Sequence, residues 1–93
     1  MKLRWTQIAL TEFEDAHDYI ANDNPNAAHT IARRIVDATA KLLEYPYIGR
    51  IGEDEDTREW QVQHTPYLLV YQIRGEAIEI LRVYHNKRAW PPT

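Results

Sequence analysis

The sequence contains no cysteine and no serine, and only 3 of its 93 residues are glycine. Without cysteine the chain can form no disulfide, thiolate metal site or cysteine nucleophile, and nothing points to secretion. The absence of serine excludes a serine triad. No glycine-rich phosphate loop opens a helix, because the Gly49–Gly52 pair follows a predicted helix and precedes a predicted strand. Several common enzyme classes are therefore excluded.

Long apolar runs are missing as well. No segment approaches the ~20 apolar residues of a membrane span, and the first residues lack the apolar stretch of a signal peptide. We therefore expect a cytoplasmic protein with no membrane partner. A hydrophobic content of 44% with 27% charged residues is typical of a folded globular chain, and we expect one domain over residues 1–93.

Charge is unevenly distributed along the chain. The net charge is -3, yet four of the 11 Lys and Arg residues and only two of the 14 Asp and Glu residues lie from residue 74 onwards. A basic C-terminal end on an acidic body suggests an anionic or acidic partner at that end, although an ordinary solvated tail would show the same pattern.

Two amphipathic helices are predicted in the first half of the chain, after a short strand at 2–6. The first covers about residues 7–22, with Thr6, or Thr11 together with Glu14, as its cap, and with Glu12 on a polar face. The second begins at Asn24-Pro25 and ends at Glu44. The expected buried stripes are Ala9, Phe13, Ala16 and Ile20 on the first helix, and Ala28, Ile31, Ile35, Ala38 and Leu42 on the second, widened by Val36 and Leu43.

The second half of the chain is predicted to be mainly strands. Residues 46–57 read as a loop, and residues 58–64 alternate as a strand with Trp60 and Val62 inward. A hairpin with Gly75 in its turn follows over 67–84. The order β-α-α-β-β-β predicts an α+β fold in which the N-terminal strand rejoins the sheet and a two-helix hairpin packs on a small antiparallel sheet.

No metal site or cofactor is expected, because the four histidines lie on different predicted elements without ligand spacing. The remaining candidates for chemistry are Arg58, Arg82, His85, Lys87 and Arg88. A ribonuclease could use His85 to activate a 2′-hydroxyl group while arginines stabilise the phosphate. A binding protein would need only cations and an aromatic anchor such as Trp90. Alternatively, Arg58 and Arg82 form structural ion pairs with Glu59, Glu76 or Glu79.

Several short motifs, spread in order over nearly the whole chain, resemble those of the RelE/ParE superfamily of type II toxin–antitoxin toxins. The resemblance is closer to the ParE branch, whose members are often labelled plasmid stabilisation proteins. The motifs are Asn24-Pro25-x-Ala27-Ala28, Leu43-x-x-Pro46-x-x-Gly49-Arg50, Thr57-Arg58-Glu59, Thr65-Pro66-Tyr67, Val70-Tyr71 and Arg82-Val83-x-His85-x-x-Arg88-x-Trp90-Pro91. The resemblance implies a growth-inhibiting toxin that a partly disordered antitoxin neutralises in a hetero-oligomeric complex.

The superfamily resemblance implies two alternative mechanisms. RelE-like members are similar to ribosome-dependent mRNA endonucleases, for which Arg58, Arg82 and His85 would be the catalytic matches. However, Glu59, Gln61 and Gln63 stand where such enzymes tend to place lysines, and no tyrosine follows Tyr84. ParE-like members resemble inhibitors of DNA gyrase, with no catalytic set and with a C-terminal contact region. The matching target-binding residues are Arg82, His85, Lys87, Arg88 and Trp90.

We favour the gyrase interpretation over ribosome-bound mRNA cleavage. The antitoxin is expected to cover apolar residues on the sheet face away from the helices, together with the helical hairpin.

Overall fold

A five-stranded sheet covered on one face by two helices forms the molecule, as described over residues 1–86 by a computed structural model. The strands are β1 (Lys2–Trp5), β2 (Arg50–Ile51), β3 (Arg58–Gln61), β4 (Tyr67–Arg74) and β5 (Ala77–His85), and the helices are α1 (Gln7–Ala21) and α2 (Pro25–Glu44). The sheet order is β1-β5-β4-β3-β2. All neighbours are antiparallel except β1, which rejoins the sheet parallel to β5. The predicted α+β architecture is confirmed.

Side-chain caps set where the two helices begin. Thr6 Oγ1 accepts a hydrogen bond from the Ala9 N–H (3.1 Å), so of the two predicted caps of α1 the Thr6 cap is used. Asn24 Oδ1 accepts one from the Ala27 N–H (3.1 Å), and Pro25 is the first residue of α2. Each cap satisfies an N–H group that the first turn of a helix leaves without a partner. Within residues 1–86 neither helix has the length and apolar character needed to cross a bilayer.

The main core lies between the helices and the sheet. The predicted stripe residues of α1 and α2 line it, and Trp60 and Val62 face it as expected. Val36 does not widen the stripe of α2; its side chain is exposed, so that prediction is wrong. The reason is geometric: Val36 follows the fully buried Ile35 and lies about 100° further round the helix, away from the sheet.

On the sheet face away from the helices, exposed apolar side chains were expected, but the structure shows that they are shielded. Leu68 and Val70 lie on this face, and both are buried. Longer side chains flank them across the strands: Glu59 and Arg82 beside Val70, and Gln61 and Tyr84 beside Leu68. Polar and aromatic side chains therefore shield the apolar surface on which the expected antitoxin site depended.

Two strand boundaries differ from the prediction. The predicted loop 46–57 contains the two-residue strand β2. Both of its residues are exposed, so the sequence there has no alternation of buried and exposed positions that would indicate a strand. Strand β3 ends at Gln61 rather than His64, because the chain turns back over residues 62–66. The Gln61 side-chain amide donates to the Thr65 and Tyr67 carbonyl oxygens (2.8 and 3.0 Å), and His64 adopts a left-handed φ of 62°.

Tyr71, fully buried in the middle of β4, fixes the loop between α2 and β2. Its hydroxyl donates to the Pro46 carbonyl oxygen (2.8 Å) and accepts from the Gly49 N–H (3.0 Å). Gly49 is needed for this approach, because a Cβ at that position would lie 2.6 Å from the Tyr71 hydroxyl oxygen. Burial raises the pKa of the Tyr71 hydroxyl, although the Gly49 hydrogen bond and the charge of Arg58 act in the opposite direction.

Replacing Tyr71 with phenylalanine should lower the free energy of unfolding by about 1–3 kcal/mol, because the Gly49 N–H and the Pro46 carbonyl oxygen lose their partner in a buried region. Urea denaturation measures the change. Tyr45→Phe, which removes an exposed hydroxyl from the same loop, is the matched control and should change stability by less than about 0.5 kcal/mol. Equal effects of the two substitutions would contradict the assigned hydrogen bonds.

The raised pKa of Tyr71 also predicts a pH dependence with a definite sign. A folded-state pKa above the unfolded value means that the native state holds this proton more tightly. The stabilisation is complete below pH ~10 and is lost as pH rises through the folded-state pKa. The free energy of unfolding of Tyr71→Phe should therefore fall less steeply above pH ~10 than that of the wild type; parallel curves would contradict this.

Candidate functional site

The three residues predicted for catalysis do not converge in the structure. Arg58 lies opposite Tyr71 and His85 opposite Tyr67, on the two strands that flank β4. These positions are about 13 Å apart along the strand direction and about 10 Å apart across the sheet. Arg82 pairs with Val70, so its side chain starts from the sheet face opposite to the one that carries Arg58 and His85. No point on the sheet is adjacent to all three side chains.

Arg58 is occupied in holding the loop after α2. Its guanidinium donates to the carbonyl oxygens of Tyr47 (3.2 Å) and Gly49 (2.8 Å) and lies 5.1 Å from the centre of the Tyr47 ring. The alternative in which Arg58 pairs with Glu59, Glu76 or Glu79 is wrong, because its guanidinium binds the loop carbonyls instead and the neighbouring Glu59 points to the opposite face of the sheet. The Arg58 side chain therefore supports the loop that Tyr71 also holds.

Arg82 forms a bidentate ion pair with Glu12 on α1. Its Nε and Nη2 atoms donate to the two Glu12 carboxylate oxygens at 3.0 and 2.8 Å. The guanidinium also lies 4.4 Å from the centre of the Tyr84 ring. The hydrogen bonds to Glu12 raise the pKa of Arg82 above its ordinary value, against the opposing effect of burial. The expectation that a glutamate of the sheet pairs with Arg82 is wrong; the partner comes from the helix layer.

Glu12 also completes the hydrogen bonding of β5. Strand β1 ends at Trp5, opposite Ile80, so it does not reach the later residues of β5. Glu12 Oε1 accepts from the Val83 N–H (3.0 Å), and Thr6 Oγ1 donates to the Leu81 carbonyl oxygen (3.0 Å). The side chains of Thr6 and Glu12 therefore bind backbone groups of β5 that lie beyond the end of β1.

Two further polar pairs lie on the sheet face away from the helices. Glu59, only 6% exposed, accepts hydrogen bonds from Arg50 Nε (3.0 Å) and Nη2 (2.8 Å) across the β2–β3 pair. The Gln72 amide donates to Glu79 Oε1 (2.7 Å) across the β4–β5 pair. Carboxylates of this face are thus bound to neighbouring side chains, and in the described part of the chain no three His, Asp or Glu residues could hold a metal ion.

His85 and Asn86 lie where the chain leaves the sheet. The His85 ring stands edge-on to the Tyr67 ring, with 5.2 Å between the ring centres, and it lines a groove with His64, Thr65 and Pro66. The Asn86 N–H donates to the Pro66 carbonyl oxygen (2.7 Å), and its side-chain amide binds Gln61 Oε1. The other predicted target-binding residues, Lys87, Arg88 and Trp90, lie outside the residues that the structure describes.

Glu12 and Gln61 are the residues whose importance the sequence patterns did not reveal. A signal for Glu12 was present: it lies three residues after Ala9 and four before Ala16, which places it beside the buried stripe of α1. Gln61 carried no such signal, because its role depends on the course of the turn over residues 62–66.

Replacing Glu12 with alanine should lower the free energy of unfolding by about 1.5–3 kcal/mol, because Arg82 and the Val83 N–H lose a half-buried, charged partner. The matched control is Asp37→Ala on α2, which removes an exposed ion pair with Arg33 (3.4 Å) and should cost less than about 0.5 kcal/mol. Both substitutions place alanine inside a helix, so they can be compared directly by urea denaturation. Equal losses would contradict the central role of Glu12.

Comparisons with known proteins agree with this architecture. A family model described as "ParE toxin of type II toxin-antitoxin system, parDE" matches residues 3–90. The chain is 39% identical over 90 residues to "Putative toxin Y4kP" of Sinorhizobium fredii, covering 97% of this chain and 93% of that protein. It is 33% identical over 84 residues to "Toxin RelE2" of Caulobacter vibrioides, covering 90% and 93%.

A solved structure shares the fold. The toxin–antitoxin structure described as "Chromosomal ParDE TA system from P. aeruginosa" contains a chain that superposes with a TM-score of 0.82 at 24% sequence identity, covering 91% of this chain and 95% of that one. The family match extends over almost the whole sequence, and two relatives exceed 30% identity at nearly full length. The chain therefore belongs to the ParE toxin family of type II toxin–antitoxin systems.

Proposed function

We propose that the protein inhibits growth in the cytoplasm by binding and poisoning DNA gyrase. The observation that carries this proposal is the separation of Arg58, Arg82 and His85, which would have to act together in the alternative, a ribosome-dependent mRNA endonuclease. Binding without catalysis needs no such convergence. Membership of the ParE family supports the gyrase proposal, because gyrase is the target that a resemblance to the ParE branch implies.

The bonding of the two arginines also favours binding over RNA cleavage. Phosphoryl transfer requires cations preorganised around the developing charge and a base within hydrogen-bond reach of the attacking hydroxyl. Arg58 is committed to two backbone carbonyl oxygens, and Arg82 to the Glu12 carboxylate. A phosphate at Arg82 would have to compete with a bidentate carboxylate, which is already a strong partner for a guanidinium.

The proposed target-binding region is the end of β5 and the segment that follows it. Arg82 and His85 lie at its start, on opposite faces of the sheet and with the Arg82 guanidinium bound to Glu12, and Lys87, Arg88 and Trp90 follow in the sequence. Tryptophan and arginine are the residue types that most often dominate the free energy of protein–protein binding. Asn86, the residue before this basic segment, bonds to Pro66 and Gln61, which fixes the end of β5.

A supercoiling assay with purified gyrase and relaxed plasmid tests this proposal. The wild-type toxin should inhibit supercoiling and cause cleaved DNA to accumulate. The variant Arg88→Ala/Trp90→Ala should need at least about tenfold more protein for the same inhibition, because truncating hot-spot side chains costs more than about 1.4 kcal/mol. Arg33→Ala, which removes an exposed arginine of α2, is the control and should inhibit like the wild type.

Absence of any effect of the wild-type toxin on gyrase would overturn the proposal. In that case mRNA cleavage on translating ribosomes becomes the function to test, with His85→Ala as the first variant. Full inhibition by the Arg88→Ala/Trp90→Ala variant would instead keep gyrase as the target and reject the C-terminal segment as the contact.

A further inference from the structure

Four large apolar side chains are exposed next to one another on the loop after α2 and on the edge strand β2. Tyr45, Tyr47, Ile48 and Ile51, here called the loop patch, are 53%, 68%, 37% and 62% exposed. Tyr45, Tyr47 and Ile48 line one shallow groove, and Ile51 pairs with Arg58, whose guanidinium lies 5.1 Å from the centre of the Tyr47 ring. Exposed apolar groups clustered in this way mark an interaction surface.

The backbone beneath the loop patch is held rigidly. The Tyr71 hydroxyl binds Pro46 and Gly49, and Arg58 binds the Tyr47 and Gly49 carbonyl oxygens. The fixed loop therefore turns apolar side chains outward instead of burying them. A surface that is already ordered loses little conformational entropy on binding, so it suits a partner that becomes ordered itself.

An acidic run follows the patch directly and limits the kind of partner that fits. Glu53, Asp54, Glu55 and Asp56 are all exposed, and none of them forms an ion pair with any residue in the range 1–86. Neither nearby arginine pairs with the run: Arg50 is bound to Glu59, and the Arg58 guanidinium donates to the Tyr47 and Gly49 carbonyl oxygens. The run would repel the phosphates of a nucleic acid. A self-complementary contact between two copies would bring two such runs together, which disfavours a second copy of this chain.

We propose that the loop patch binds a segment of the cognate antitoxin in which apolar side chains are flanked by lysine or arginine. The apolar side chains of that segment cover Tyr45, Tyr47, Ile48 and Ile51, and its cations face the acidic run. This location differs from the outer sheet face, where Leu68 and Val70 are already buried. The proposal rests on the antitoxin partner of the ParE family and not on the identity of the poisoned target.

The dissociation constant of the toxin–antitoxin complex tests the proposal. Full-length toxin, separated from its antitoxin under denaturing conditions and refolded, is titrated against immobilised antitoxin. Tyr47→Ser/Ile51→Ser should raise the dissociation constant at least about tenfold, as expected for the loss of buried apolar anchors. The control Arg74→Ser/Glu76→Ser replaces two exposed side chains at the β4–β5 turn, away from both the loop patch and the helical hairpin, and should leave it within about twofold.

A charge-reversal variant keeps the test decisive if Tyr47→Ser/Ile51→Ser fails to fold. Glu53→Lys/Glu55→Lys leaves the turn residue Asp54, whose carboxylate accepts from the Asp56 N–H, unchanged. It should weaken antitoxin binding at low salt by about tenfold, and the decrease of affinity with added salt that is seen for the wild type should largely disappear.

Three results would overturn the proposal. The patch and charge variants would bind the antitoxin like the wild type, or the Arg74→Ser/Glu76→Ser control would weaken binding as much as they do. Alternatively, the variants would lose gyrase inhibition or self-association while antitoxin binding persists, which would assign the patch to the target or to a second copy. Supercoiling inhibition by the free toxins is measured in parallel. Because antitoxin affinity is measured separately from gyrase inhibition, a failure of the gyrase proposal can be distinguished from a failure of the antitoxin proposal.

Discussion

The hydroxyl group of Tyr71 connects the core of the protein to its surface. The ring is fully buried in the middle of β4, while the hydroxyl reaches the loop after α2 and binds Pro46 and Gly49. A phenol is well suited to this position, since it fills a core and still offers one donor and one acceptor at its end. The absence of a side chain at Gly49 lets the backbone approach, and Arg58 secures the adjacent carbonyl oxygens. The loop and its exposed apolar side chains therefore have a fixed position relative to the sheet.

Ion pairs have a similar organising role at the opposite edge of the sheet. Glu12 joins α1 to β5 through Arg82 and the Val83 N–H, where β1 has already ended. The charges that resembled a catalytic set in the sequence are thus largely used to hold the layers together. Apart from these side chains, the loop after α2 carries an apolar surface followed by an acidic run, and the sequence after Asn86 contains Lys87 and Arg88. In the two proposals above, the basic segment contacts the target and the loop patch contacts the antitoxin.

The parts of the fold that depend on local physics were predictable from the sequence. Thr6 and Asn24 cap their helices because their side chains reach the N–H groups of the first turn, and Gly75 marks the hairpin because its φ is positive. The stripe residues followed from helical periodicity. The prediction that Val36 is buried was wrong because its exposure depends on the rotation of α2 against the sheet, which periodicity defines only to within one residue.

Features that depend on contacts between distant residues were not predictable. Glu12 and Arg82 are 70 positions apart, and the register of the sheet decides that they meet. The burial of Glu59 depends on Arg50 in a strand of two exposed residues, which leaves no hydrophobic pattern. The candidate catalytic residues formed a plausible cluster in the sequence because it does not show the register of the strands or the irregularity between Val70 and Tyr71, which decides the face that Arg82 occupies. Their separation by strand and face is visible only in the structure.

The proposed action of this toxin is to bind gyrase and not to cut RNA. The most direct test is the amount of gyrase covalently bound to DNA in cells shortly after toxin synthesis is induced, measured by immunodetection on purified genomic DNA. The account predicts a marked rise over uninduced cells before growth stops. An unchanged amount of bound gyrase, together with new mRNA ends within translated codons, would contradict it.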